Sequence, residues 1–174
     1  MAIVKASYSN SPQAAKATIR YITHRPDRHG QRQSRQLFDE LGGTGRHQTY
    51  TMIDASGPGD YFYHLKISPD PKIEDSYQDL HLRSITEETI HAISQQSGQA
   101  VTWVAVIHAD HTRIRHIHCL AIVPARLDRQ ALKAAREGAT SECQLQRREL
   151  DAYRQAEQEQ AWQEEAAWDY SNPF

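Results

Sequence analysis

Four stretches of the chain alternate apolar and polar residues or run apolar at strand length, and two others read as helices. "AIVKASY" alternates and predicts a first strand. "YFYHLKIS" alternates most cleanly, with Tyr61, Tyr63, Leu65 and Ile67 on one side and Phe62, His64 and Lys66 on the other. "AVTWVAVIH" and "HIHCLAIV" predict two more strands, joined by a loop from Ala109 to Arg115. "SPQAAKATIRYITHRP" predicts a helix with Ser11 as N-cap, Pro12 at its first position, an apolar stripe of Ala15, Ile19 and Ile22, and Pro26 closing it. "TEETIHAISQQSG" predicts a second helix, capped by Thr86 and ended by Gly98.

The remaining segments carry weaker patterns. Residues 27–45 are basic, then Gly-rich, and predict a loop with a short helix at "RQLFDEL"; "HQTYTMID" predicts a strand and "SGPGD" a turn. From Leu127 onward helix formers dominate, with a break expected at Gly138. The order strand, helix, strands, helix, hairpin, helix predicts an α+β fold: a central antiparallel β-sheet with flanking helices and a C-terminal helical tail. The expected division is a domain over residues 1–137 and an acidic, Gln/Glu-rich helical tail over 138–174.

Composition narrows the class. At 174 residues, 39% hydrophobic and 24% charged, the chain can bury a core without covalent staples. No run approaches a membrane span and "MAIVKASYS" lacks a signal-peptide core, so a cytoplasmic location and no membrane partner are expected. Two cysteines cannot build a disulfide framework, and free thiols are expected.

A formal net charge of −2 hides an asymmetry. Residues 1–36 carry seven Lys or Arg against Asp27 alone, whereas residues 137–174 carry nine acids against three arginines. A basic arm of this kind points to a polyanionic partner. In "RYITHRPDRHGQRQSR" the arginines suit phosphates, and Tyr and His suit stacking on unpaired bases, the mixture used by single-strand nucleic-acid binders.

The chemistry concentrates in "VAVIHADHTRIRHIHCLAIV". Period two puts His108 on one face with Val104 and Val106, and His116 on one face with His118, Leu120 and Ile122. If His108 pairs near His116, its Cβ lies about 5 Å from that residue and roughly 7–8 Å from the diagonal His118. Three imidazoles then converge closely enough to share one divalent ion. Three histidines at the mouth of one hairpin, where Val or Leu would pack better, cost stability unless they bind something. Asp110 is the natural carboxylate to receive the outer N–H of a ligating histidine, with turn formation as its other role. His111, in the loop, is equally consistent with simple solvation.

His108-x-Asp110 followed by His116-x-His118, flanked by "TWVAVIH" and "CLAIV", resembles the histidine motif of the HUH endonuclease superfamily, specifically the relaxase and mobilisation nucleases of plasmids. "YFYHLKISPDP" looks like that family's strand and Ser-Pro segment, and "KATIRYITHR" like its first helix; the likeness spans residues 1 to 126 in the right order. Arg115 stands where many members have Pro, and His111-Thr112 where many have a second acid.

The resemblance implies a relaxase-like palm that nicks and rejoins single-stranded DNA at a transfer or replication origin, for plasmid or mobile-element transfer. His108, His116 and His118 would hold a divalent ion, Mn²⁺ or Mg²⁺, with Zn²⁺ or Ni²⁺ as alternatives. Tyr21 would attack phosphorus to give a 5′-phosphotyrosine and a free 3′-OH, with His24, one turn on, as a rival nucleophile and Asp110 as the associated acid. Tyr8 and Tyr50 are weaker candidates. Arg20, Arg25, Arg28, Arg32, Arg35, Lys66 and Arg115 would meet the DNA, and accessory mobilisation proteins are further partners. The competing expectation is a metal- and DNA-binding accessory protein that keeps the fold without cleaving.

Overall fold

A computed structural model describes residues 1–27, 29–31, 33–109 and 114–171. Arg28, Arg32, Asp110 and His111, singled out above, lie outside the described residues.

The alternating segments form strands where expected: β1 (Ile3–Ser9), β4 (Tyr61–Ser68), β5 (Thr102–His108) and β6 (His116–Val123). Two further strands, β2 (Leu37–Asp39) and β3 (Gly42–Thr44), complete a six-stranded sheet of order β1-β4-β6-β5-β2-β3, with every neighbouring pair antiparallel. β6 is central and buried along its whole length.

Helix α1 (Pro12–His24) begins as its sequence predicts: the Ser11 hydroxyl accepts the Ala14 N–H at 3.2 Å, and Pro12 sits in the first turn, where its missing N–H costs nothing. Ala15, Ile19 and Ile22 face the sheet and, with Ile53 of α2 (Arg46–Asp54), cover Leu37, Phe62, Val104, Val106, Leu120 and Ile122. The opposite face carries Tyr63, Leu65, Ile67, Ala105, Ile117, Cys119 and Ala121 beneath α3 (Leu82–Ser97) and α4 (Arg129–Ser171). The fold is therefore α+β, a sheet with helices on both faces. No helix among the described residues is long and apolar enough to cross a membrane.

Four local expectations are corrected, the last of them in α4. "RQLFDEL" gives β2 and its turn, not a short helix: the Asp39 carboxylate accepts the N–H groups of Leu41 and Gly42, and Gly42 takes the positive φ that closes the hairpin. "HQTYTMID" is helix α2, not a strand. Its buried residues Thr49 and Ile53 are four apart, and the Gln48 side chain caps the start by accepting the Gly45 N–H at 2.7 Å. α3 starts at Leu82, one turn before the predicted cap; Thr86 lies inside it, fully buried, its hydroxyl donating to the Leu82 carbonyl at 2.9 Å. Gly98 ends α3 in the left-handed conformation, as expected.

α4 runs through Gly138 without a break. Ala131, Ala135, Ala139, Cys143 and Arg147 recur every fourth residue and are buried. Gly138 lets α3 approach closely, since a Cβ there would stand 2.9 Å from Ala92 Cβ and 3.2 Å from the Glu88 carbonyl oxygen. Asp79 anchors the middle of the helix by accepting from Arg147 at 2.9 and 3.1 Å and from Arg154. Cys119 and Cys143 are free and buried.

Candidate metal centre

The register of the central hairpin decides where the imidazoles meet. His108 lies directly across from His116, and His118 across from Val106, so the three rings share the α1 face with His118 diagonal to His108. Their ring centroids are 4.6–5.3 Å apart. One nitrogen from each lies within 4.8 Å of the others. A shared Zn²⁺ would hold such nitrogens at about 2.0–2.1 Å each. All three residues are buried.

The outer nitrogens are engaged by the surrounding backbone and sheet. His108 Nε2–H donates to the Ile22 carbonyl at 2.6 Å, and His116 Nδ1–H to the Ile114 carbonyl at 3.0 Å. His118 Nδ1 lies 2.8 Å from His64 Nε2. A carbonyl accepts only, so the first two contacts fix the tautomers and leave the lone pairs on His108 Nδ1 and His116 Nε2. The inner atoms, His108 Nδ1, His116 Nε2 and His118 Nε2, are buried. Among the described residues the converging donors are imidazole nitrogens, two of them with outward N–H groups held by carbonyls, and such a group could hold a divalent metal ion.

Burial, then the neighbouring His108, His64 and His116, then Lys66, push the pKa of His118 down to about 2. The ring is neutral at neutral pH and ready to donate its lone pair. His64 is lowered by burial and by Lys66. The alternation of "YFYHLKIS" already placed His64 and Lys66 together on one face; only the pairing of β4 with β6 puts that face beside His118.

Cations collect next to the triad. Lys66 pairs across from His118 on one side and Lys5 on the other. Its ammonium pKa is lowered by burial and then by Arg25 and Lys5. A locally positive rim of this kind favours an anion.

The other candidates fall elsewhere. Tyr21 is 55% exposed while Ile22 beside it is fully buried, so the phenol projects from the side of α1 turned away from the sheet. With Arg20, His24, Arg25 and Arg46 it lines an open groove of about 720 Å³. The Arg25 guanidinium stands 5.7 Å from the Tyr21 ring centroid, and Arg46 Nη1 lies 3.2 Å from His24 Nε2. Arg35 donates to the Arg25 carbonyl at 2.8 Å, tying the segment after α1 back to its end. Arg115 has a structural partner: it forms a two-pronged ion pair with the buried Asp75 at 2.7 and 2.9 Å and also donates to the Leu80 carbonyl at 2.9 Å. Tyr8 packs on Tyr61 and Tyr63, and the Tyr50 hydroxyl reaches the Lys16 carbonyl.

Comparison with family models, curated proteins and solved structures finds no match to this chain.

Proposed function

We propose that this chain is a metal-dependent nuclease that nicks and rejoins single-stranded DNA in the manner of a relaxase, serving transfer or replication of a plasmid or mobile element. The observation that carries the reading is the buried triad of His108, His116 and His118, with one nitrogen of each within 4.8 Å of the others. The reading also rests on the resemblance of the histidine motif and first helix to that family. Mn²⁺ or Mg²⁺ is the ion expected from the resemblance, while an all-imidazole donor set is better suited to the alternatives Zn²⁺ or Ni²⁺; such an ion would supply Lewis-acid polarisation of a phosphate.

This chain's residues supply the rest. Lys66 and Arg25 offset the phosphate charge beside the triad, and Arg20 of α1 and Arg46 of α2 extend the positive surface along the groove that they line. In the covalent step the Tyr21 oxygen bonds to phosphorus as the bond from phosphorus to the 3′ oxygen breaks. The phenol proton leaves Tyr21 and a proton reaches the 3′ oxygen, giving a 5′-phosphotyrosine and a 3′-OH. Reversal of the same exchange rejoins the strand without ATP.

A second reading, a metal- and single-strand-binding protein that does not cleave, is favoured by the exposure of Tyr21 on the outer side of α1. One experiment separates the two: labelled single-stranded DNA with Mn²⁺ or Mg²⁺, run on denaturing gels. A protein-linked label lost in Tyr21→Phe supports the relaxase reading. An adduct that survives Tyr21→Phe and vanishes in His24→Ala moves the nucleophile to His24. Binding without any cleaved product establishes the accessory reading.

A further inference from the structure

We propose that His64 is a positioning residue for the metal centre, accepting the Nδ1 proton of His118 and so holding the Nε2 lone pair of that ring toward the ion. The inference rests on the metal-site reading above and adds a fourth histidine to it.

The argument starts from what each ring needs. A ligating imidazole binds through one nitrogen and must place its other N–H on an acceptor. His108 and His116 find backbone carbonyls, those of Ile22 and Ile114, because each lies at a strand end. His118 lies inside β6, flanked by β4 and β5, where the backbone carbonyls serve the ladders. A side chain must therefore supply its acceptor. His64 on β4 is diagonal to His118, with ring planes 23° apart, centroids 5.0 Å apart and a nitrogen–nitrogen distance of 2.8 Å. With the His118 proton on Nδ1, His64 Nε2 accepts and its own proton belongs on Nδ1.

An imidazole in this place differs from a carboxylate in charge. A neutral acceptor orients His118 without offsetting the ion's two positive charges, so the centre keeps its full attraction for an anionic phosphate.

The test uses the full chain, stripped of metal and titrated with Co²⁺, whose visible absorption reports ligand geometry, with thermal melts of the metal-free forms as a control on folding. His64→Leu is expected to weaken Co²⁺ binding about 10- to 100-fold, the usual cost of losing such a partner, and to alter the Co²⁺ spectrum. His64→Gln keeps an acceptor near the position of Nε2 and is expected to restore most of the affinity and the wild-type spectrum. Equal affinity in wild type and His64→Leu overturns the proposal, as does a Gln variant as weak as Leu. Failure of the wild type to take up Co²⁺ removes the metal-site reading itself, and this inference with it.

Discussion

On the face covered by α3 and α4, β6 presents Ile117, Cys119, Ala121 and Val123; on the face covered by α1 and α2 it presents His116, His118, Leu120 and Ile122. Both sets are buried. One face is apolar from end to end, whereas on the other Leu120 and Ile122 pack under α1 and the imidazoles gather toward the end of β5 and the start of β6. A period of two lets one strand assign stability to one side and chemistry to the other, residue by residue. The apolar half of the second face makes the polar half possible, because it anchors α1 and so brings the Ile22 carbonyl to His108.

The contrast can be broken from either side. The largest effect is expected on metal content: replacing His116 and His118 together by Ala should abolish stoichiometric binding, read by elemental analysis, while circular dichroism stays native. Retained metal would place the ligands elsewhere. On the apolar face, Leu65→Ala removes a fully buried side chain and should cost about 2–5 kcal/mol in denaturant unfolding, with metal stoichiometry unchanged in the folded fraction. Gly138→Leu pushes a side chain into Ala92 and Glu88 of α3 and should cost about 1–3 kcal/mol. Equal stability would mean that α4 moves off α3 freely.

The smallest effect sharpens the histidine side. His118 in the folded chain, near 2, lies below the value of about 6.5 in an unfolded chain. As pH falls, the unfolded form takes up the proton first. Stability of the metal-free protein is therefore complete above about pH 6.5 and declines below it, by at most about 1.4 kcal/mol per pH unit for this one group. Melting temperatures across pH 7.5 to 5 measure it, and a flat profile would show His118 protonating in place.

The triad was legible because its pattern is local: two strands and a short loop put three histidines on one face, and period two with a hairpin register supplies the rest. His64 was visible as a face but not as a partner, since the pairing of β4 with β6 joins segments some 54 residues apart. Residues 35–54 misled for a physical reason. The strands β2 and β3 are three residues each, too short to display a period, and "HQTYTMID" alternates like a strand while burying Thr49 and Ile53 at helical spacing. Gly138 reads as a helix breaker when alone; against α3 it is a point of close packing. The direction of Tyr21 follows from which neighbours on α1 are buried. Its place in the sequence alone gives no such angle.

Cys119 follows His118 in the chain, yet its thiol lies on the far side of the sheet, completely buried, with burial pushing its pKa upward. No sulfur from β6 can reach the triad, so the strand would offer an ion imidazole alone and give a soft ion such as Cu(I) no thiolate to prefer. The same placement protects the sulfur itself: peroxide and alkylating agents act on accessible thiolates, and Cys119 is buried, with burial disfavouring its ionised form. A single-residue offset along β6 thus keeps sulfur out of the triad and leaves that face to imidazole.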